Sequence, residues 1–254
     1  MHTNALHLLQ YIHSEQQSGS FRPVAFEKSI GFDSDVKPVT IKLASGEKVS
    51  IVGVCDRIDV MHEKGKDYIR IVDYKTGTKK FSLEDVYNGL SSQLLLYMNS
   101  VLQSKSFGEN PTPAAVIYQP SDAAFKFDKD DGLYTPVGMA LGSEEISEGF
   151  DTKAEGRFGV IKGTEKIKSL SGSEVVDEKM FRAVLDFTKD KINDMAKDVY
   201  NGNFANQPMD LGNERTSCEY CGYRVICREA GATKPRQKAD FRVKEGNADG
   251  KTVD

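Results

Sequence analysis

The chain has 254 residues, 39% of them apolar, and a formal charge of −4, enough for one core-forming domain with or without an accessory lobe. No apolar run approaches the roughly eighteen residues of a membrane helix, which sets aside a membrane-spanning protein. The mildly acidic charge also argues against a protein that coats nucleic acid by electrostatics alone.

Residues 5–18 read as a short helix on which His7 and His13 look like ordinary surface residues. Strands are expected near 22–30 and 38–43, followed by a hairpin over 49–74. Apolar residues flank His62-Glu63-Lys64-Gly65-Lys66-Asp67, which makes Lys64-Gly65 the turn. That turn sets Asp56 opposite Asp73, Arg57 opposite Val72 and Asp59 opposite Arg70. One face then carries Val52, Val54, Asp56, Ile58 and Val60 with Ile69, Ile71, Asp73 and Lys75.

Two acids and a lysine therefore interrupt an apolar stripe. Carboxylates facing each other across a sheet repel, and burial resists their ionisation. A hard divalent cation, Mg2+ or Mn2+, relieves both problems by taking oxygen ligands. Lys75 points to the same side and can hold an attacking water or offset charge building on phosphorus. The alternative is a salt bridge in which Lys75 only neutralises the acids. On the other face, Asp59 and Arg70 read as a structural cross-strand ion pair.

A helix is expected over 89–103. Gln93 and Tyr97 lie one turn apart on it and share a face; alternatively, Tyr97 belongs to a buried side with Leu90, Leu94, Val101 and Leu102. After Pro113, Ala114 to Tyr118 should form a central strand paired with the hairpin. Residues 120–172, rich in Gly, Ser, Asp and Lys, read as an irregular insertion with mobile loops. A long helix follows over 177–201, with Met180, Val184, Phe187, Ile192 and Met195 at helical spacing.

Near the end come Cys218, Cys221 and Cys227, three of only four cysteines. Such spacing points to a metal or cluster loop over 217–229 rather than to disulfides. No histidine follows His62 to complete a zinc site. Residues 231–254 form a charged tail with little to bury and are expected to be disordered. No phosphate-cradling G-x-x-x-x-G-K-[ST] occurs, so nothing here encodes an ATPase.

These residues also carry a family resemblance. Gly53-Val54-Cys55-Asp56-Arg57-Ile58-Asp59, Asp73-Tyr74-Lys75-Thr76-Gly77 and Gln93-Leu94-Leu95-Leu96-Tyr97 resemble, in order, the motifs of the RecB-like branch of the PD-(D/E)xK nucleases. The stretch from Phe21 through Pro23 and Glu27 to Phe32 resembles the opening strand of AddB/RexB subunits. Gly202-Asn203-Phe204, Pro208 and Cys218 to Arg228 resemble the end of such a subunit, so the likeness runs over residues 5–229.

The resemblance implies an α/β fold: a restriction-endonuclease-like mixed β-sheet flanked by helices, in a nuclease domain over 1–230. It implies that Asp56, Asp73 and the Tyr74 carbonyl hold Mg2+ or Mn2+, with Glu27 either a further oxygen donor or an exposed strand acid. Lys75 would orient the water, Gln93 would anchor the strand, and Tyr97 would pack beside nucleic acid. Cys218, Cys221 and Cys227 would supply three of the four thiolates of a [4Fe-4S] cluster. Cys55, pointing away from the acid face, reads as core filler. The fourth thiolate is then missing, and the chain is expected to be a C-terminal piece of a longer protein. The implied setting is the cytoplasm. There, DNA reaches the site as a single strand fed by an AddA/RexA-type helicase-nuclease partner during double-strand-break repair. Open alternatives are a stand-alone exonuclease of the CRISPR-adaptation type and a catalytically silent DNA-binding or assembly module.

Overall fold

The computed structural model describes residues 2–76, 79–121, 134, 136–151, 160–162, 167–169, 174–212, 215–227 and 236–237. Its central hairpin follows from turn chemistry. Lys64 and Gly65 both take positive φ, 49° and 74°, the left-handed pair that a two-residue turn matched to strand twist requires. The flanking strands place β-branched Ile58, Val60, Ile69 and Ile71 in the core.

In chain order the elements are α1 (His2–Ser18), β1 (Arg22–Ile30), β2 (Val39–Lys42), β3 (Lys48–Ile51), β4 (Gly53–Glu63) and β5 (Lys66–Lys75). Next come α2 (Leu83–Tyr87), α3 (Gln93–Gln103), β6 (Pro111–Pro120), β7 (Val137–Leu141) and α4 (Glu144–Phe150). The remainder are β8 (Val160–Lys162), β9 (Ile167–Ser169), β10 (Glu174–Val176), α5 (Glu178–Tyr200), β11 (Asp210–Gly212) and β12 (Arg215–Thr216).

Six strands form one sheet in the order β1-β4-β5-β6-β7-β10. The pairs β5–β6 and β7–β10 are parallel and the others antiparallel, which makes the sheet mixed. A parallel step needs a crossover, and α2 and α3 supply it between β5 and β6. On α3, Leu94, Leu95, Met98 and Val101 are buried where the helix meets β5 and β6. The Asn99 Nδ2 group donates to the Leu185 carbonyl at 3.0 Å and ties α3 to α5. The opposite face is covered by α1 and α4, whose Glu15 and Phe150 both meet Arg70. The β2–β3 ribbon packs Ile41 and Leu43 against Ala196 of α5.

The expected first helix, opening strands, hairpin, central strand and long helix all form within a few residues of their expected limits. Three expectations change. The helix expected over 89–103 starts only at Gln93, because Gly89 takes a φ of 79° after α2 and a left-handed residue ends a helix. Leu90 consequently lies 40% exposed in the connection instead of on a buried side.

The insertion expected to be irregular over 120–172 contributes β7 to the main sheet and α4, with Ile146 and Phe150 buried, to its cover; β10 follows directly and joins the sheet beside β7. Averaged over that stretch, polar composition hid the short apolar run Val137–Leu141. At Gly138 a Cβ would collide with the Val116 carbonyl, so a residue that reads as loop in composition is what lets β7 approach β6. Residues 122–133 and 152–159 lie outside the described residues. The tail is likewise ordered at Arg236, whose N–H donates to the Pro208 carbonyl at 2.7 Å and whose carbonyl accepts from Asp210 N at 2.8 Å. Apart from Arg236 and Gln237, the tail lies outside the described residues.

Candidate active site

Strand pairing runs as the turn dictates, with Arg57 opposite Val72, Ile58 opposite Ile71 and Asp59 opposite Arg70. It stops there. Asp56 and Asp73 are the next residues out, at the open end of the β4–β5 ladder. The Asp56 carboxylate reaches across, its Oδ2 accepting from the Tyr74 N–H at 2.8 Å. Because that nitrogen belongs to the peptide leaving Asp73, the two acids are immediate neighbours.

Asp73 is 3% exposed. Burial lifts its carboxyl above the usual carboxylate range against the pull of Lys75, with a further push from Asp56. Lys75 Nζ sits 2.6 Å from Asp73 Oδ2. That contact is an ion pair by distance but not aligned as a hydrogen bond, and Asp73 Oδ2 is left buried without a hydrogen-bond partner. Lys75 Nζ also lies 6.0 Å from the centre of the Tyr118 ring. Burial, with Asp73 adding to it, pushes the Tyr118 phenol up to about 12, against a hydrogen bond with Ser91.

Gln93 and Tyr97 do share a face of α3: Gln93 Nε2 donates to the Tyr97 hydroxyl at 3.2 Å. Tyr97 is buried, with its ring over Gly53, where a Cβ would fall 2.5 Å from the hydroxyl oxygen. The ring is thus part of the packing, and exposed Gln93 is the member of the pair that solvent reaches. Glu27 is exposed and takes a φ of 47°, between the pairs Phe26–Arg57 and Lys28–Cys55. Among the described residues no three His, Cys, Asp or Glu side chains are gathered closely enough to hold a metal ion. Glu27 therefore does not complete a three-acid group with Asp56 and Asp73.

The other face of the hairpin holds a second charged cluster. Asp59 Oδ2 accepts from Arg57 Nη2 at 3.0 Å and from Arg70 Nε at 2.8 Å. Glu15, reaching in from α1, meets Arg70 Nη1 at 2.6 Å and Arg57 Nη2 at 3.3 Å. The Arg70 guanidinium lies 4.6 Å from the centre of the Phe21 ring and 5.2 Å from that of Phe150. Arg57 Nη1 donates to the Tyr74 hydroxyl at 2.8 Å. Nearby, burial raises the Tyr11 phenol far above its ordinary value, and Glu15 adds to the effect.

Sequence reasoning found the Asp59–Arg70 pair but missed Glu15. A lone acid on a helix with three histidines gives no local sign that it will be buried; His7 and His13 are exposed on the same helix.

The three late cysteines are free thiols. Cys218 and Cys227 are half-buried and Cys221 is exposed, in a loop where Tyr223, Val225 and Ile226 also face solvent. Cys55 is 1% exposed, within the sheet. Burial, then the nearby Asp56, pushes its thiol up to about 12, which suits an inert core residue.

A mixed sheet with helices on both faces, and two acids and a lysine at the open end of its central hairpin, define a class. The chain belongs to the PD-(D/E)XK nuclease superfamily, whose family model matches residues 2–228. Among curated proteins it is similar to the B-type subunit of the ATP-dependent helicase/deoxyribonuclease of Clostridium novyi, 34% identical over 234 residues. That match takes in 87% of this chain and 20% of the relative. The protein of the same name from Clostridium tetani is 30% identical over 243 residues, with the same 87% and 20% shares. The one from Caldanaerobacter subterraneus is 32% identical, over 85% of this chain and 20% of the relative. The chain thus spans about a fifth of the length of these relatives. None of its described helices is long and apolar enough to cross a membrane.

Proposed function

We propose that this chain is the metal-dependent DNA-cleaving domain of a bacterial helicase-nuclease that processes double-strand breaks. The observation that carries the reading is the pair of adjacent carboxylates, Asp56 beside buried Asp73, with Lys75 at the open end of the ladder. Lys75 already meets Asp73, and two carboxylates held this close in an apolar sheet repel unless a further positive charge joins them.

Two carboxylates and the Tyr74 carbonyl are hard oxygen donors of the kind Mg2+ and Mn2+ take, so the residues fit such an ion. When bound, the ion lowers the pKa of a coordinated water and offsets charge on the scissile phosphate. Asp56 and Asp73 would hold such an ion through their oxygens. Lys75, already poised over Asp73, turns its Nζ to the attacking water. Gln93, exposed at the first turn of α3, donates to a phosphate oxygen of the strand and sets its height above the sheet. Buried Tyr97 holds Gln93 in place.

The names of the relatives support DNA as substrate and a helicase as partner; in this proposal an AddA/RexA-type subunit would feed a single strand to the site, in the cytoplasm. Cys218, Cys221 and Cys227 are three thiolates where a [4Fe-4S] cluster takes four. The described residues alone do not fit the cluster; it is proposed for the intact protein with a thiolate from outside these residues.

The test is cleavage of single-stranded DNA with Mg2+ or Mn2+ by the wild-type chain and by Asp73→Ala. The variant is expected to stay folded and to lose cutting. Equal cutting by both would remove the assignment.

A further inference from the structure

We infer that Arg57 and Tyr74 are positioning residues that aim the two acids from the far side of the sheet, an inference that rests on the metal-site reading above. β6 pairs with Asp73 and Tyr74 on one side, but the β4–β5 ladder has ended at Arg57 and Val72, so pairing between those two strands no longer sets Asp56 against Asp73. Tyr74 does. Its N–H donates to Asp56 Oδ2 at 2.8 Å, and it sits between Asp73 and Lys75 in the chain.

Alternation sends the Tyr74 side chain to the opposite face. There its hydroxyl accepts from Arg57 Nη1 at 2.8 Å, and the Arg57 guanidinium lies 5.8 Å from its ring centre. Arg57 is 1% exposed and is clamped in turn by Asp59 Oδ2 and Glu15 Oε2. A rigid planar fork with each edge engaged has little freedom to move. The peptide between Asp73 and Tyr74 cannot rotate without swinging the tyrosine ring, so the guanidinium on one face sets the direction of the carboxylates on the other. Partners that orient ligands in this way matter almost as much as the ligands themselves.

The arrangement also gives the buried cluster a use beyond stability. Glu15 ties α1 into it, so the N-terminal helix reaches the acids through Arg57 and Tyr74 without touching them.

The experiment is Mn2+ titration of the full chain, followed by electron paramagnetic resonance of the free ion, with thermal melting alongside. Wild type, Asp73→Asn and Tyr74→Phe are compared. Tyr74→Phe removes one hydroxyl and is expected to stay folded while binding Mn2+ about tenfold to a hundredfold more weakly. Arg57→Lys, which keeps the charge and loses the fork, is expected to shift affinity the same way.

A purely structural role would lower the melting temperature and leave the affinity alone. Unchanged Mn2+ affinity in folded Tyr74→Phe and Arg57→Lys overturns the inference, while binding by wild type and its loss in Asp73→Asn keep the metal-site reading standing. If wild type binds no Mn2+, or Asp73→Asn binds as tightly as wild type, the metal-site reading falls and takes the inference with it.

Discussion

On one face of the β4–β5 hairpin, Arg57 and Arg70 meet Asp59 and Glu15, two positive charges against two negative. On the other face Asp56 lies beside Asp73, and Lys75 pairs with Asp73 while Lys79 also acts on it. Both clusters sit in the same apolar sheet, between strands built from the same kinds of residue. Pairing separates them: the doubly bridged cluster holds α1 to the sheet, and at the ladder's open end a single ion pair, Lys75–Asp73, stands beside a second carboxylate. Buried charge by itself therefore says little about function, whereas two carboxylates crowded at the open end of a ladder are the feature worth pursuing.

The same substitution made on both faces should break the comparison most sharply. Asp73→Asn is expected to lower DNA cleavage more than about a hundredfold, beyond the range seen when only a ligand's partner is lost, with the melting temperature held or raised. Asp59→Asn leaves two buried guanidiniums facing Glu15 alone, and chemical denaturation should register a loss of about 3–5 kcal/mol. Similar phenotypes for the two variants would mean that the faces do not differ in role.

A smaller effect is expected at Gly53, where an added Cβ would fall 2.5 Å from the Tyr97 hydroxyl and 2.9 Å from its ring. Gly53→Ala should cost about 1–3 kcal/mol by overpacking and displace Gln93 through its bond to Tyr97. Urea unfolding reads the first result, and cleavage at limiting DNA reads the second.

The smallest effect is at the turn end of the hairpin, where Lys64 Nζ meets Glu145 Oε1 of α4 at 2.6 Å. That bond, helped by a backbone N–H and Ser143, pulls the Glu145 carboxyl from 4.5 down to about 2. A carboxyl depressed in the folded state stabilises above its unfolded value, and that contribution fades as pH falls from 4.5 towards 2. Melting curves across that window should differ slightly between wild type and Glu145→Gln, and the difference should shrink in high salt because Lys64 is exposed.

Local patterns made much of this molecule legible from residues alone. Two-residue alternation and the Lys64-Gly65 turn fixed the hairpin register, and register put Asp56, Asp73 and Lys75 on one face and Asp59 beside Arg70. The one-turn spacing of Gln93 and Tyr97 likewise predicted their contact. The helix expected over 177–201 also forms, opening where the Asp177 side chain accepts from Met180 N at 2.7 Å.

What only the tertiary structure decided are the contacts between segments far apart in the chain. Glu15 is buried against Arg57, 42 positions away, because α1 packs on the sheet, and nothing near Glu15 announces it. Tyr97 is packing, not an open stacking surface, because Gly53 lacks a side chain to keep it out. Strand β7 and helix α4 enter the fold because Gly138 lets backbones approach closely, a property that composition reads as loop. Periodicity and turns act over a few residues and can be read along the chain. Burial depends on which surfaces meet, and that is settled only when the whole sheet and its helices assemble.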